Sequence, residues 1–323
     1  ALAYTPPGNA LSYAPLGAFF VAAATIPTMS PGILYSASAY TLWGLFPLFF
    51  KHLAQVNALE VAMHRTVWSL AFVWLVLAVL RRWAWLIAVL RTPRVVATFA
   101  LSAALLASNW LVYVWAVNND HVLDASLGYF ILPLVNVGLG YVFLHERPRA
   151  WQWLAFGVAC AGVLWLTVQT GRLPWVALTL AVTFGFYGLL RKLAPLGALE
   201  GLTLETLLLS PLAVGVLGWF TAQGQGVLAG HHPQALGWLI ASGPVTALPL
   251  LLFAAGARRV PLSTMGILQY IAPSILVLLG VWLYGEPFAG PRALGFVLIW
   301  TALAIYTGEG WWVSRKIPKT GTR

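Results

Sequence analysis

The stretch PLVNVGLGYVFLHE, residues 133–146, returns as PSILVLLGVWLYGE, residues 273–286. The copies share a proline, a glycine and a glutamate in one register, Pro-x6-Gly-x5-Glu, displaced by 140 residues (133 to 273). Upstream the same displacement lays Lys51 on Arg191, Leu53-Ala54 on Leu193-Ala194, Ala58-Leu59-Glu60 on Ala198-Leu199-Glu200 and Thr66 on Thr206. An ungapped register kept over so long a stretch marks an internal repeat.

Both copies sit in a chain of 323 residues that is 60% hydrophobic and 8% charged, with mean hydropathy +0.84. A soluble domain is about a quarter charged. A bilayer core of ~30 Å instead calls for apolar runs of about 20 residues. Ten such runs are readable, at roughly 32–50, 59–80, 95–117, 122–144, 152–170, 174–190, 202–220, 236–256, 263–284 and 292–308. Turn or charge signals separate them: Asn118-Asn119-Asp120, Arg147-Pro148-Arg149, Gly171-Arg172, Gly197, His231-His232-Pro233, Arg258-Arg259 and Glu286-Pro287. The runs are long and lack period-two alternation, so strands fit poorly. The fold expected is an all-α integral membrane protein, its ten transmembrane helices arranged as two inverted five-helix repeats. Five is odd, so the second copy enters the membrane from the opposite face, an architecture common in secondary transporters.

The net charge of +10 need not mean nucleic acid, because basic residues of membrane proteins gather in cytoplasmic loops. With the N-terminus inside, the inner segments hold fourteen Lys and Arg: Arg81, Arg82, Arg91, Arg94, Arg147, Arg149, Arg191, Lys192, Arg258, Arg259, Arg315, Lys316, Lys319 and Arg323. The outer segments hold three, Lys51, Arg172 and Arg292, and Arg65 falls within a span. That bias predicts both termini in the cytoplasm, and the expected location is a bacterial inner membrane. The expected units are an extension at 1–29, a first repeat at 30–170, a second at 171–310, and a basic cytoplasmic tail at 311–323. The apolar run 16–26 is too short to span and lacks a basic leader, so Met29 is read as the natural start. The single cysteine, Cys160, permits no internal disulfide.

The motifs resemble the RarD branch of the EamA-type transporters, within the drug/metabolite transporter superfamily. The residues that carry the likeness are Trp43-Gly44, Glu60 with His64-Arg65, Asn109-Trp110, Trp115-Ala116-Val117-Asn118, Ala125-Ser126-Leu127-Gly128-Tyr129-Phe130 through Pro133-Leu134, Tyr187-Gly188 with Arg191-Lys192, Gln269-Tyr270-Ile271 through Pro273, and Tyr284-Gly285-Glu286. They run in order through nearly everything from residue 31 to 308. One departure is His145 before Glu146-Arg147, where the family pattern has glycine. The resemblance implies export or exchange of small metabolites or drugs through a central cavity. It does not supply a substrate, and the branch's association with chloramphenicol is a thin guide.

Arg65 is the basic residue read within a span. Burying it is costly unless it is paired or meets water, so it is a candidate for a substrate carboxylate or a coupling ion. Glu60 and His64 lie one turn apart on the same helix and are candidates for coupling or gating. A structural Glu–Arg pair near the helix end is the plain alternative. Asn109 and Tyr113 share a face, with Asn118 beyond them; such amides bind either substrate or a neighbouring helix. Pro133 and Pro273 are expected to interrupt spans 4 and 9, as pathway-lining breaks often do. Tyr129, Asn136, Gln269, Tyr270 and Ser274 cluster around them as cavity candidates, Tyr187 is a further one, and Trp43 and Trp110 lie deeper, where they can face an aromatic or amphipathic substrate. Glu146 and Glu286, at helix ends, read as anchors or gate elements. Trp83, Trp85, Trp151, Trp153, Trp311 and Trp312 suit an interfacial belt.

No P-loop, no metal-ligand spacing and no basic-aromatic surface for nucleic acid is present, so no catalytic residue, metal or cofactor is assigned. The partners implied are a small-molecule substrate and the lipid bilayer, with monomer and homodimer both open. A secondary transporter fits best. A membrane enzyme on lipid-linked substrates would need clustered acids or histidines, and only Glu60, His64, Asp120, His121 and Asp124 approach that. A passive channel would need polar rings along a pore.

Overall fold

The computed structural model describes residues 30–119, 122–170, 175–283 and 290–316. Every regular element among them is helical: α1 (Pro31–Gly44), α2 (Phe46–Phe50), α3 (Ala58–Leu80), α4 (Ala84–Leu90), α5 (Pro93–Asn118), α6 (Val122–Leu144), α7 (Ala150–Thr170), α8 (Trp175–Leu193), α9 (Ala198–Ala222), α10 (Leu236–Ala257), α11 (Leu262–Gln269), α12 (Ile271–Leu283) and α13 (Pro291–Lys316). Nine stretches among the described residues are long and apolar enough to cross a bilayer, and Ala293–Glu309 is a shorter apolar helix. Leu75, Val79, Leu164, Val168 and Trp282 point outward, an apolar exterior that lipid suits and water does not. The chain is a multi-pass membrane protein.

Local chemistry sets the helix ends. Ser30 caps α1 by accepting from Ile33 N–H at 3.3 Å, with Pro31 in the first turn. Asn57 caps α3 through Leu59 N–H at 2.9 Å. α6 ends at His145, which stands in the left-handed region at φ 52°, the conformation that glycine adopts at no steric cost.

Packing reproduces the repeat. Exchanging α1 with α8, α3 with α9, α5 with α10, α6 with α11–α12, and α7 with α13 maps the contacts onto one another. The α1–α10 contact becomes α5–α8, α3–α10 becomes α5–α9, and α6–α8 becomes α1–α12. The pairs α3–α9, α6–α11 and α7–α13 map onto themselves and lie on the pseudo-two-fold axis. There the equivalent positions 130 and 270 meet, the Tyr270 hydroxyl donating to the Phe130 carbonyl at 3.2 Å. Gly266 permits the crossing, because a Cβ built on it would lie 2.6 Å from the Pro133 carbonyl. The main core draws on both halves, with Tyr40, Leu106, Tyr187, Leu202, Phe253 and Met265 fully buried in it.

Of the two expected breaks, one is present and one is not. Pro273 lacks the N–H that would donate to the Gln269 carbonyl, and the helix breaks at Tyr270, between α11 and α12. Pro133 has the same register, yet α6 runs through it unbroken.

Polar contacts of basic side chains cluster at one end of the bundle; we call it the basic end. Arg258 donates to the Ala194 carbonyl at 3.1 Å and also to that of Leu196, in the α8–α9 loop. Lys192 donates to the carbonyls of Ala257 (3.1 Å) and Val260 (2.5 Å) after α10. Arg149 pairs with Glu309 at 2.6 Å, joining α7 to α13. Arg259 lies over the Tyr35 ring, 5.2 Å from its centroid.

Candidate functional site

Toward the opposite end, Arg65 projects from α3 into an aromatic box. Its Nε donates to the Thr246 hydroxyl on α10 at 2.9 Å. Its guanidinium carbon lies 5.0 Å from the Phe50 centroid, 5.1 Å from Trp110 and 5.8 Å from Phe46, which is cation–π range. Tyr113 and Tyr129 stand in the field of the same guanidinium, their rings 6.4 Å apart at 63°. Each is 40% exposed, so this face of the box is open. No carboxylate among the described residues pairs with Arg65. The site thus offers one cation, aromatic walls and a hydroxyl at a contact between the two halves.

Trp43 and Tyr187 lie in an aromatic cluster beneath it. Trp43 meets Tyr40 (5.6 Å), Phe253 (5.6 Å) and Phe184 (5.7 Å), and Tyr187 stacks on Phe253 at 5.9 Å and 14°. Trp110 packs on the same core, so box and cluster adjoin.

Asn136, Gln269, Tyr270 and Ser274 gather at the α6–α11 crossing. Asn136 Nδ2 donates to Gln269 Oε1 at 3.0 Å, both side chains buried, while Asn136 Oδ1 has no partner among the described residues. A buried amide oxygen left without a donor is unfavourable unless something fills the role. Ser274 Oγ donates to the Tyr270 carbonyl and accepts from Trp300 Nε1, each at 2.8 Å.

Other candidates contact neighbouring elements. Asn109 donates to the Leu180 carbonyl (2.8 Å) and the Thr183 hydroxyl (2.9 Å), tying α5 to α8. Glu60 accepts from Val227 N–H at 2.7 Å, beyond the far end of α9, with His64 at 3.8 Å. Gly226 at φ 84° makes room for that carboxylate, which would lie 2.6 Å from a Cβ. Both His64 ring nitrogens are buried without hydrogen-bond partners among the described residues. Glu146 caps α11, accepting from Leu262 N–H (2.6 Å), Ser263 N–H (2.9 Å) and Ser263 Oγ (2.7 Å). The Asn118 side chain and Glu286 lie outside the described residues.

The EamA-like transporter family model matches residues 30–168. An uncharacterized transporter of Pseudomonas aeruginosa is 46% identical over 291 residues, covering 90% of this chain and 97% of its own. Protein RarD of Streptomyces exfoliatus is 46% identical over 285 residues (88% and 90%), and protein RarD of Escherichia coli K12 is 43% identical over 289 (89% and 97%). The chain belongs to the RarD branch of the EamA-like transporter family. A solved structure titled only as a protein crystal structure superposes at TM-score 0.68 with 19% identity, over 88% of this chain and 99% of that one, and shares the fold.

In this RarD-branch chain one buried charge cluster has no counterpart in the sequence expectations. Arg191, read as a loop residue, lies inside α8 and is 1% exposed. It faces Glu205 on α9, Nη1 to Oε1 at 3.5 Å, and that carboxylate accepts from Ser102 Oγ on α5 at 2.6 Å. The repeat register was the available signal. Position 205 is the equivalent of 65, so the second copy places an acid where the first has Arg65.

Proposed function

We propose that this membrane transporter is a secondary one, which moves a small amphipathic organic anion by alternating access between its halves. The supporting observation is Arg65: a cation at a contact between the halves, boxed by aromatic rings, open on the tyrosine side and without a carboxylate partner among the described residues. Such a box suits a carboxylate or similar group attached to an apolar or aromatic body. The working units are residues 30–170 and 171–310. The basic end faces the cytoplasm of a bacterial inner membrane, in keeping with the placement of Lys and Arg. The swap-related packing supports rocking about the α3–α9, α6–α11 and α7–α13 contacts.

The test pairs ligands that differ only in charge. Aromatic and amphipathic carboxylates, each beside its amide, are screened by thermal shift on detergent-solubilised protein. A relative from Pseudomonas aeruginosa, 34% identical over 298 residues, is named a chloramphenicol-sensitive protein RarD, so an amphenicol serves as a neutral comparator. The acid of a pair should stabilise and its amide should not. Arg65→Gln should abolish the shift, and Arg65→Lys should keep part of it, retaining charge without the planar stack. Equal shifts for acid and amide, or a shift unchanged in Arg65→Gln, would remove Arg65 from the site. Hits then go to liposomes, where saturable uptake is expected.

A further inference from the structure

The Glu205 cluster is sealed: Glu205 and Tyr187 are 0% exposed, Ser102 and Arg191 1%. It joins α5 of the first half to α8 and α9 of the second, close to the basic end, where Arg191 Nη2 donates to the Ala198 carbonyl at 3.1 Å. Arg191 lies over the Phe99 ring at 5.5 Å, and Gly201 leaves it room, since a Cβ there would lie 1.9 Å from Nη1. The cluster has a counterpart on the other side of the pseudo-two-fold, where α10 meets α1 and α3. Ser242 stands for Ser102 there, but Arg65 stands for Glu205, so the acid is present at one end only.

We propose that Glu205 is the proton-binding site of this transporter, and that protonating it releases the basic end. The inference deepens the alternating-access reading and rests on it. For the basic end to open, α5 must part from α8 and α9. Drawing the ionised pair apart in an apolar interior strands two charges, which is prohibitive. A proton arriving from water at the basic end adds to a Glu205 oxygen and forms an O–H bond. The carboxyl is then neutral, and Arg191 keeps its charge but loses its counter-ion. The guanidinium gains water only if the end opens, so proton binding and opening favour each other.

The geometry accommodates both forms. Ser102 now donates to the carboxylate, and a hydroxyl can equally accept from a carboxyl O–H. The Tyr187 hydroxyl stands at 3.5 Å from Oε2. The Arg191 contact, also 3.5 Å, is longer than a charge-assisted hydrogen bond, and Nε and Nη1 have no hydrogen-bond partner among the described residues. Arg191 and Tyr187 of α8 are the charged and titratable groups acting on Glu205, with the Ser102 hydroxyl from α5; none comes from α3 or α10. Lys192 is turned to the Ala257 and Val260 carbonyls, and Glu60 and His64 lie together elsewhere on α3.

Two measurements test this without a substrate. Infrared difference spectra of the reconstituted protein, acid minus alkaline, should show the carbonyl stretch of a water-excluded carboxyl, and Glu205→Gln should lack that band. In a Cys160→Ala background, Leu106→Cys puts a buried thiol one turn from Ser102 on α5. Its N-ethylmaleimide labelling rate, divided at each pH by that of the same thiol in unfolded protein so that the thiolate fraction cancels, should rise about tenfold from mildly alkaline to mildly acidic buffer. With Glu205→Gln added it should be fast and flat across that range, because the amide mimics the neutral acid. A missing infrared band in the parent, or the parent's pH dependence surviving in Glu205→Gln, would overturn the proposal. Ligand binding that depends on Arg65 would survive that outcome, so the two readings fail separately.

Discussion

Gly140→Ala should destabilise the parent protein yet stabilise a Glu146→Ala variant. Glu146 accepts hydrogen bonds from Leu262 N–H, Ser263 N–H and Ser263 Oγ, and α11 has no cap from its own Pro261. Removing a charged cap costs about 1–2 kcal/mol, and the third bond adds to this, but the site is half-buried and screened, so about 2 kcal/mol is expected for Glu146→Ala. A Cβ on Gly140 would stand 2.7 Å from Glu146 Oε2 and 3.4 Å from Leu262 Cβ, so the carboxylate is what it displaces. Alanine in a helix interior gains ~1 kcal/mol over glycine, against about 2 kcal/mol for the lost cap, a net destabilisation of ~1 kcal/mol in the parent. With Glu146 already gone, only the gain is left. At roughly 2 °C per kcal/mol for a large domain, the Tm shifts should be about −2 °C in the parent and +2 °C in Glu146→Ala. Thermal melts of all four proteins in one detergent complete the cycle. Gly140→Ala shifting Tm equally in both backgrounds would refute the idea that this glycine exists to admit the carboxylate.

His145→Gly should raise stability by ~0.5–1 kcal/mol in the same melts, because the residue holds φ 52°. Gly201→Ala should lower it by about 1–3 kcal/mol by forcing the Arg191 guanidinium off its seat, whereas Gly218→Ala, where a Cβ meets nothing within 4 Å, should raise it by up to ~1 kcal/mol. Asn136→Leu should cost about 1–3 kcal/mol by stranding Gln269, and adding Gln269→Leu should recover part of it; a purely additive double variant would mean the amide pair is not a unit.

The spans and the repeat were legible because both are written in local residue types. Apolar length gives a helix, and Pro-x6-Gly-x5-Glu recurs in one register. Arg65 was legible for a similar reason, as a lone cation in an apolar run. Glu205 stands in an equally apolar run but is hidden, because its partner Arg191 reads as a loop residue and Ser102 lies 103 residues away in sequence. Spacing along the chain says nothing about such a meeting. Thr246, Phe46 and Phe50 around Arg65 were invisible for the same reason. The helix break ahead of Pro273, absent at Pro133, is not written in the local register either, since that register is identical. It sits where α11 closes on α6, with Gly266 against the Pro133 carbonyl.

Positions 65 and 205 began as copies and now carry opposite signs. A pair of first halves, assembled around the same axis, would set a second arginine beside Ser102 and a lysine in place of Arg191, with no acid to neutralise either. The first half has come to depend on the second: expressed as separate polypeptides, first halves should bind second halves in preference to their own kind. A duplication that started as two equal parts has become a machine with a distinguishable front and back.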